Sequence, residues 1–202
     1  MANVTVSSSV DSMLRASDAS GIRDAIGSIN YPYTTDFRSG VERTRNLTSI
    51  TSSDGYYYNS NLTSIYVGDN VTSIGSGAFS FCSNLTSITI SDGVTTIGHY
   101  AFDSCSSLTS ITIPDGVTSI GNGAFIFCNG LTSITIPDSV TSIGNSAFYY
   151  CSSLATINCL ATTAPTLGSN VFGNVAATEI HVPAGATGYG TTYGGLTVVA
   201  DL

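Results

Sequence analysis

A 23-residue repeat constrains the fold of this chain more than any other feature of its sequence. Five copies open at leucines that lie 23 residues apart, namely Leu62, Leu85, Leu108, Leu131 and Leu154. The fourth copy has apolar residues at eight offsets that the third copy shares: Leu131, Ile134, Ile136, Val140, Ile143, Ala147, Phe148 and Cys151. A period of about 20–29 residues is typical of solenoids, in which each coil buries its apolar face against the next coil.

Each copy predicts the same local structure. The segment L-T-S-I-T-I alternates Thr and Ile, which predicts one strand per coil and a parallel sheet with strands about 4.8 Å apart. The segment V-T-S-I-G predicts a shorter extended element on the opposite wall, and the Pro and Asp between the two predict a turn. A-F-x-x-C predicts a return loop with at most one helical turn, whose Phe and Cys fill the core. The predicted fold class is therefore mainly β, a solenoid of 23-residue coils with stacked parallel strands.

Less regular copies flank the four regular coils of residues 62–153. Leu47 opens an abbreviated coil, residues 154–175 form a degenerate copy, and Ile180 and Val182 return to the repeat offsets in a last strand. Degenerate end copies are what a solenoid needs to cap its core. We expect residues 46–185 to form the solenoid, residues 186–202 a C-terminal cap, and residues 1–45 a small attachment or capping segment.

Residues 1–45 predict one short helix between Met13 and Gly27, with Ser17 as its N-cap. This segment resembles a module of phage tail-fibre and other virion appendage proteins, and the matching residues are Leu14, Ala16, Asp18, Ala19, Arg23, Ala25, Ile26 and Gly27. The resemblance implies docking on a virus particle, and the candidate attachment residues are Leu14, Asp18, Ile22, Arg23 and Ile26. A cap that only shields the first coil remains the alternative.

Charge is scarce and unevenly placed. The chain has five Arg and no Lys, and no basic residue follows Arg45, so residues 46–202 carry the whole formal net charge of −8. Phosphate binding requires Lys and Arg, so this composition excludes nucleic acid as the expected partner. We also expect no membrane insertion, because no apolar run approaches about 18 residues. Residues 1–13 lack the basic and apolar regions of a secretory signal.

The cysteines and aspartates follow the repeat. Cys82, Cys105, Cys128 and Cys151 share one offset, and Cys159 takes the offset of Ile136. Exchange with aliphatic residues predicts buried apolar thiols, with a disulfide framework as the alternative, and the spacing fits no zinc signature. We interpret Asp69, Asp92, Asp115 and Asp138, which also share an offset, as turn residues that hydrogen-bond their own backbone; a stacked row that binds Ca²⁺ is the alternative. We expect no cofactor.

The chemistry of the repeat predicts binding and no catalysis. His99 and His181 lie at unrelated offsets, so no Ser-His-Asp arrangement follows from repeat geometry, and we expect no enzyme. The candidate binding face consists of outward residues of the long strands: Tyr66, Thr86, Thr89, Thr109, Thr112, Thr132, Thr135 and His181. This hydroxyl-rich face would suit a glycan, a protein surface or ice, and the alternative is that Thr simply favours strand surfaces.

The motif L-x-x-I-x-I-P-x-x-V-x-x-I-G-x-x-A-F-x-x-C resembles the BspA-like leucine-rich repeats of bacterial and protist surface proteins, over about residues 47–185. Nothing in that motif is catalytic, and the resemblance implies adhesion or protein binding.

Joined to a fibre-like segment, such repeats favour a non-enzymatic virion surface protein, a phage fibre or decoration subunit. This hypothesis predicts a homo-oligomer that contacts other virion proteins through residues 1–45 and a host surface protein or glycan through the repeats. The alternative is a bacterial cell-surface or secreted adhesin.

Overall fold

The computed structural model describes residues 33–36, 41–44, 48–54 and 56–202, with side chains from residue 48 onward. These residues form a 3₁₀ helix, Ser52–Asp54, and fifteen strands: β1 (Tyr33–Asp36), β2 (Val41–Thr44), β3 (Ser49–Ile50), β4 (Ser64–Val67), β5 (Ser73–Ile74), β6 (Ser87–Ile90), β7 (Thr96–Ile97), β8 (Ser119–Ile120), β9 (Ser133–Ile136), β10 (Ser142–Ile143), β11 (Thr156–Cys159), β12 (Thr166–Leu167), β13 (Glu179–Val182), β14 (Thr192–Tyr193) and β15 (Leu196–Ala200). The predicted helix between Met13 and Gly27 lies outside the described residues.

A regular coil consists of a long strand, a turn, a short strand and a return loop. In the coil that contains β9 and β10, the turn between them closes with a bond of 3.2 Å from the Val140 N–H to the Pro137 carbonyl oxygen. Inward residues of β9 are buried and outward residues are exposed, because side chains alternate along a strand. The predicted return loops are successive turns, and those that the structure describes contain no helical turn. Positive φ at positions such as Phe127 and Tyr150, 59° and 58°, is incompatible with an α-helix there.

The short strands prove the stacking. They form a parallel sheet in the order β12, β10, β8, β7, β5, β3, which corresponds to six coils. Ser119 pairs with Ser142 and Ile120 with Ile143, so the register equals the sequence period. The predicted mainly-β solenoid with parallel stacked strands is confirmed.

The long strands are divided into two sheets. One has the order β1, β2, β4, β6 and the other the order β14, β15, β13, β11, β9. Between them, residues 110–113 keep Ile111 and Ile113 buried, yet their backbone makes no hydrogen bond to either neighbouring coil within the part of the chain that the structure describes. The long-strand wall is therefore open at this coil, while the short-strand wall is continuous.

Both ends of the solenoid are closed by antiparallel elements. Strands β1 and β2 form a hairpin, and β2 continues the sheet by pairing in parallel with β4. At the other end, β15 pairs in parallel with β13 and antiparallel with β14. The division at residues 45 and 185 stays a prediction, although residues 41–44 already pair with the solenoid sheet.

Two buried tyrosines attach the C-terminal cap. The Tyr189 hydroxyl donates to the Ala161 carbonyl oxygen at 2.8 Å, and the Tyr193 hydroxyl donates to the Pro165 carbonyl oxygen. Burial raises the pKa of both phenols, so the neutral donor form is the one that holds the cap.

A column of phenylalanines runs through the core. Phe79, Phe102, Phe125 and Phe148 are fully buried, and successive ring centroids lie 5.3, 5.2 and 5.1 Å apart with nearly parallel planes. Phe172 extends the column by one ring. The predicted packing ladder is confirmed. Stacking of aromatic rings adds about 0.5–1.5 kcal/mol per pair beyond apolar burial, so the column stabilises each coil interface between Phe79 and Phe172.

The cysteines form a second column. All five are buried and none forms a disulfide within the described residues, which confirms the prediction of buried thiols. Burial raises the pKa of the Cys151 thiol to about 12, and burial together with the neighbouring Cys105 and Cys151 thiols raises that of Cys128. These thiols are therefore protonated and unreactive in the folded protein.

Candidate functional site

The predicted Thr face is exposed as expected. Thr86, Thr89, Thr109, Thr112, Thr132 and Thr135 all lie on the outside of the long-strand wall, and Tyr66 and His181 are half-buried at its two ends. The face is not one continuous sheet, because residues 110–113 interrupt the hydrogen bonding at its middle.

The two Thr columns differ in what their hydroxyls do. The Thr86 hydroxyl donates to the Thr63 carbonyl oxygen at 3.0 Å, and the Thr132 hydroxyl donates to the Thr109 carbonyl oxygen at 3.3 Å. Thr86 and Thr132 therefore each tie their coil to the preceding one, whereas the Thr109 hydroxyl makes no such bond with a described residue. The hydroxyls of Thr89, Thr112 and Thr135 make no hydrogen bond with any residue that the structure describes, and they face solvent.

The end residues of the face are engaged in local contacts. The Tyr66 hydroxyl donates to Asp69 Oδ1 at 2.7 Å, and His181 Nδ1 lies 2.9 Å from Asp201 Oδ1. Both contacts are exposed, so each adds little to stability.

A notch opens beside residues 110–113. It has a volume of about 310 Å³ and is lined by Thr112, Asp115, Ser133, Thr135 and the exposed Leu160, among others. The notch exists because the neighbouring long strand does not close onto residues 110–113.

The row of aspartates lies in turns, as predicted. The Val71, Val94, Val117 and Val140 N–H groups close these turns by donating three residues back. The four carboxylates accept no hydrogen bond from their own turns within the described residues, so that part of the prediction is wrong. No group of three or more His, Cys, Asp or Glu side chains in the described part of the chain could hold a metal ion.

Polar side chains at one return-loop offset tie coils together. His99 Nδ1 accepts the Asn122 backbone N–H at 2.8 Å, and Asn122 Oδ1 accepts the Asn145 backbone N–H at 2.8 Å. Asn145 Oδ1 accepts the Ser169 backbone N–H at 2.7 Å. His99 therefore accepts a hydrogen bond that ties its coil to the next coil, as the asparagines of this row do.

Exposed aromatic side chains mark the return loops, a feature that the repeat motif did not predict. Of the seven large apolar residues exposed in the described chain, five are Tyr57, Tyr58, Tyr100, Phe127 and Tyr150. With Phe81 and Tyr149 they form what we call the aromatic edge. Tyr58 stacks on Phe81 with centroids 4.3 Å apart, and Phe127 stacks on Tyr150 at 5.4 Å.

The aromatic edge sits on strained backbone. Tyr58, Phe81, Phe127 and Tyr150 occupy one repeat offset and have φ between 58° and 62°. Bulky residues at positive φ are uncommon, and such strain is concentrated at functional sites. The sequence did contain this signal, because aromatic residues recur at the second variable position of A-F-x-x-C. The repeat motif leaves that position variable, and Ser104 interrupts the aromatic series.

A cleft opens where three coils of the aromatic edge meet. It has a volume of about 620 Å³, and the rings of Tyr57, Phe81 and Tyr100 stand around Ser80 and Asp103. Ser80 is the only polar residue buried in the described chain, at 2% exposure, and its hydroxyl points toward Asp103 Oδ2 at 3.5 Å. The Ser104 hydroxyl donates to Asp103 Oδ1 at 2.8 Å.

The stacked coils, with parallel long strands in all regular coils but that of residues 110–113 and an inward Leu, Ile and Phe core, define a leucine-rich-repeat solenoid. The model of the BspA type leucine-rich repeat region matches six copies over residues 48–179, and the chain belongs to this family. The match lies outside residues 1–45, so the resemblance of that segment to virion modules stays a prediction. Its candidate residues Leu14, Asp18, Ile22, Arg23 and Ile26 lie outside the described residues.

Two solved structures with TM-scores above 0.5 share this fold, and a third is a weaker match. The leucine-rich repeat protein of T. pallidum is 22% identical with a TM-score of 0.60, over 84% of this chain and 78% of that protein. The pneumococcal vaccine antigen PcpA is 20% identical with a TM-score of 0.55, over 70% of this chain and 35% of that protein. A leucine-rich repeat protein of Bacteroides ovatus is 24% identical with a TM-score of 0.49, over 77% of this chain and 58% of that protein.

The chain thus spans most of the T. pallidum protein but only 35% of PcpA and 58% of the B. ovatus protein. No curated protein matches the chain in sequence. None of the helices that the structure describes has the length and apolar character needed to cross a bilayer.

Proposed function

We propose that this chain is a non-enzymatic binding protein of a bacterial surface or of the secreted fraction, in which the solenoid holds a macromolecular ligand as an adhesin does. The observation that carries the proposal is the concentration of exposed aromatic side chains on one edge of the solenoid. Exposed apolar side chains gathered in one patch mark interaction sites, and aromatic residues dominate the binding energy of protein interfaces.

The solenoid makes the aromatic edge a rigid platform. Return loops are tied coil to coil by backbone bonds, such as that from the Phe102 N–H to the Ala124 carbonyl oxygen at 2.8 Å. Rings that are already fixed lose little conformational entropy on binding, which favours affinity.

The repeat family and a solved structure of the same fold support a location at the bacterial surface or in the secreted fraction. BspA-like repeats are typical of bacterial surface proteins, and one protein that shares the fold, PcpA, is described as a vaccine antigen. Non-catalytic binding also fits a site in which His99 serves as a backbone acceptor.

The Thr face is a second proposed contact surface, for a glycan or a protein. Its solvent-facing column of Thr89, Thr112 and Thr135 has hydroxyls that bond no described residue. In the first column, Thr86 and Thr132 contribute methyl groups while their hydroxyls bond the preceding coil.

Adhesion of coated beads tests the function and separates the two surfaces. Beads that carry the full-length protein are counted on cultured epithelial cells and compared with beads that carry two triple variants. One is Tyr58→Ser, Phe127→Ser and Tyr150→Ser on the aromatic edge, and the other is Thr89→Lys, Thr112→Lys and Thr135→Lys on the Thr face. Leu160→Ser is the matched control, because Leu160 is 39% exposed, as Phe127 is 40%, but lies off the aromatic edge.

We expect the aromatic triple variant to lose adhesion by about tenfold or more, and Leu160→Ser to retain it. Loss only in the Thr triple variant would move the site to the Thr face. Equal adhesion of all variants, or of uncoated beads, would contradict the proposed function.

A virion fibre or decoration subunit, acting as a homo-oligomer, is the finer proposal that residues 14–27 suggest. It predicts that the chain is found in purified phage particles and that removal of residues 1–45 abolishes its incorporation. Absence of the chain from particles of its own genome would exclude this role and leave the surface adhesin.

A further inference from the structure

The cleft between Tyr57, Phe81 and Tyr100 has the chemistry of a cation site, and we infer that it receives an arginine side chain of a protein ligand. This inference rests on the proposed binding function and names the group that one part of the aromatic edge would recognise. Its grounds are the charge around Asp103, the arrangement of the rings, and the backbone that holds Tyr100.

Asp103 is a carboxylate with no basic side chain beside it among residues 48–54 and 56–202. None of the side chains that the structure describes is Lys or Arg, and residues 46–202 hold eight acidic residues. Each carboxylate oxygen of Asp103 faces one hydroxyl, Ser104 at 2.8 Å and Ser80 at 3.5 Å. A carboxylate oxygen has two lone pairs, so acceptor capacity remains on both oxygens. A cationic donor bound beside Asp103 would use this remaining acceptor capacity.

The rings provide the second half of a cation site. Tyr57 and Tyr100 are 47% and 49% exposed, and Phe81, which lines the same cleft, stacks on Tyr58. Tyr57 meets Phe81 edge to face, with centroids 6.1 Å apart and planes at 87°. The negative faces of such rings attract a cation within about 6 Å, and Arg is the side chain most often found there.

The backbone conformation at Tyr100 indicates that this ring has a role beyond packing. At its repeat offset the other coils have Gly77, Gly123, Ser146 and Asn170, which are small residues. Tyr100 adopts φ 54° at this position, where a bulky side chain is strained. The ring lies over Gly123 of the next coil, where a Cβ would come within 2.5 Å of Tyr100 Cε1. The strain and the matching glycine together hold an exposed ring at the cleft that Asp103 also lines.

The cleft favours a guanidinium over an ammonium group. A guanidinium is planar, stacks on aromatic faces and has five N–H donors, so it can bind a carboxylate and further acceptors at once. Here Asp103 is accompanied by the serine hydroxyls of Ser52, Ser53 and Ser76 in the same cleft. The net charge of −8 would attract a basic ligand surface from a distance.

Peptide titration of the full-length protein tests the inference. The probe is the blocked tripeptide acetyl-Gly-Arg-Gly-amide, and the matched probe is the same peptide with neutral citrulline in place of Arg. Shifts of the Tyr57, Phe81 and Tyr100 ring resonances are followed by NMR at about 20 mM and about 500 mM sodium chloride, which shortens the Debye length several-fold.

We expect saturable shifts of these rings with the Arg peptide, weaker binding at high salt, and no saturation with the citrulline peptide. Asp103→Asn and Tyr100→Ala are each expected to weaken binding about fivefold. The control Asp92→Asn, an exposed turn aspartate outside both proposed contact surfaces, is expected to bind as the wild type does.

Equal binding of the citrulline peptide, binding that ignores salt, or full affinity in Asp103→Asn would overturn the inference. Saturable shifts of the same rings by glucose or galactose, with no response to the Arg peptide, would show a neutral sugar cleft and also overturn it. The bead assay distinguishes a failure of this inference from a failure of the proposed function. Adhesion that depends on the aromatic edge while the Arg peptide fails would leave the function standing without this ligand.

Discussion

The Sγ atom of Cys128 donates a hydrogen bond to the backbone carbonyl oxygen of Phe102, which lies 3.1 Å away in the preceding coil. The same oxygen accepts the Cys105 N–H at 3.2 Å, so both of its lone pairs are used. Cys82, Cys105 and Cys151 repeat the bond to the coil before them, at 2.8, 3.2 and 3.0 Å. The thiol column is therefore a set of inter-coil hydrogen bonds as well as a packing column.

Replacement of Cys128 by valine tests this bond. Valine is apolar and somewhat larger than cysteine, and it removes the donor, so we expect Cys128→Val to lower the free energy of unfolding by about 1 kcal/mol. Urea unfolding followed by circular dichroism measures the loss, with Asn129→Ala at the exposed neighbouring position as the control. A variant as stable as the wild type would show that the thiol contributes packing alone.

Stability is expected to fall at high pH because of the buried thiols. The pKa of Cys151 is raised by burial from 9.0 to about 12. Between these values the unfolded chain releases the thiol proton and the folded chain keeps it. The contribution is complete below about pH 9 and falls by about 1.4 kcal/mol per pH unit as pH rises toward 12.

Urea midpoints at several pH values from about 8 to 10.5 would measure this loss. The variant Cys151→Ala should show a shallower decline than the wild type, because it has one titrating thiol fewer. Parallel declines of the two proteins would contradict the assignment of this pH dependence to Cys151.

The position of a ring in the phenylalanine column is expected to set its contribution to stability. Phe125 stacks on Phe102 and on Phe148, at 5.2 and 5.1 Å, whereas Phe172 has only Phe148, at 5.7 Å, among the described rings. We expect Phe125→Ala to lower the free energy of unfolding by about 3–5 kcal/mol and Phe172→Ala by about 1 kcal/mol less. Equal losses in denaturant unfolding would argue against ring stacking as a source of the difference.

Hydrogen exchange is expected to detect the open long-strand wall. The amides of Ile111 and Ile113 have no acceptor in the neighbouring coils, whereas Ile134 and Ile136 lie in β9, which pairs with β11. Exchange measured by NMR should be roughly tenfold faster or more at Ile111 and Ile113, since it needs no opening of a hydrogen bond. Similar protection at all four positions would mean that residues 110–113 are paired as the other long strands are.

Alanine at position 123 is expected to displace the Tyr100 ring. Gly123 has φ 58°, and an added Cβ would lie 2.5 Å from that ring, so both backbone strain and steric overlap oppose the substitution. We expect Gly123→Ala to cost about 1–3 kcal/mol.

Gly185→Ala is the control for Gly123→Ala. Gly185 has φ 81° and nothing within 4 Å of an added Cβ, so its substitution introduces backbone strain without steric overlap. Thermal or urea unfolding compares the two. Equal costs would mean that the Tyr100 ring moves away freely.

The repeat alone was enough to predict the fold and the core, because a unit of this length can bury its apolar residues only against copies of itself. Ile134, Phe148 and Cys151 were predicted to be buried from their recurrence, and all three are. Outward Thr135 was likewise predicted to be exposed, since alternation along a strand fixes both faces at once.

The candidate face was predicted only in outline. Thr86 and Thr89 have the same residue type on the same strand, and the sequence offered no reason to distinguish them. Their difference depends on whether a carbonyl oxygen of the preceding coil lies within reach of the hydroxyl, as Thr63 O does for Thr86 at 3.0 Å.

The coil, its inward residues and their stacking could be predicted from the amino-acid sequence, because the period is a local property repeated many times. The open wall at residues 110–113, the hydrogen bonds of the thiols and the cleft around Asp103 became visible only in the folded chain. These features depend on distances between side chains 20 or more residues apart, as between Ser80 and Asp103 or Cys128 and Phe102, and on the positive φ that turns Tyr100 outward. A repeat pattern describes what all coils share, whereas the cleft arises where Tyr100 departs from its counterparts.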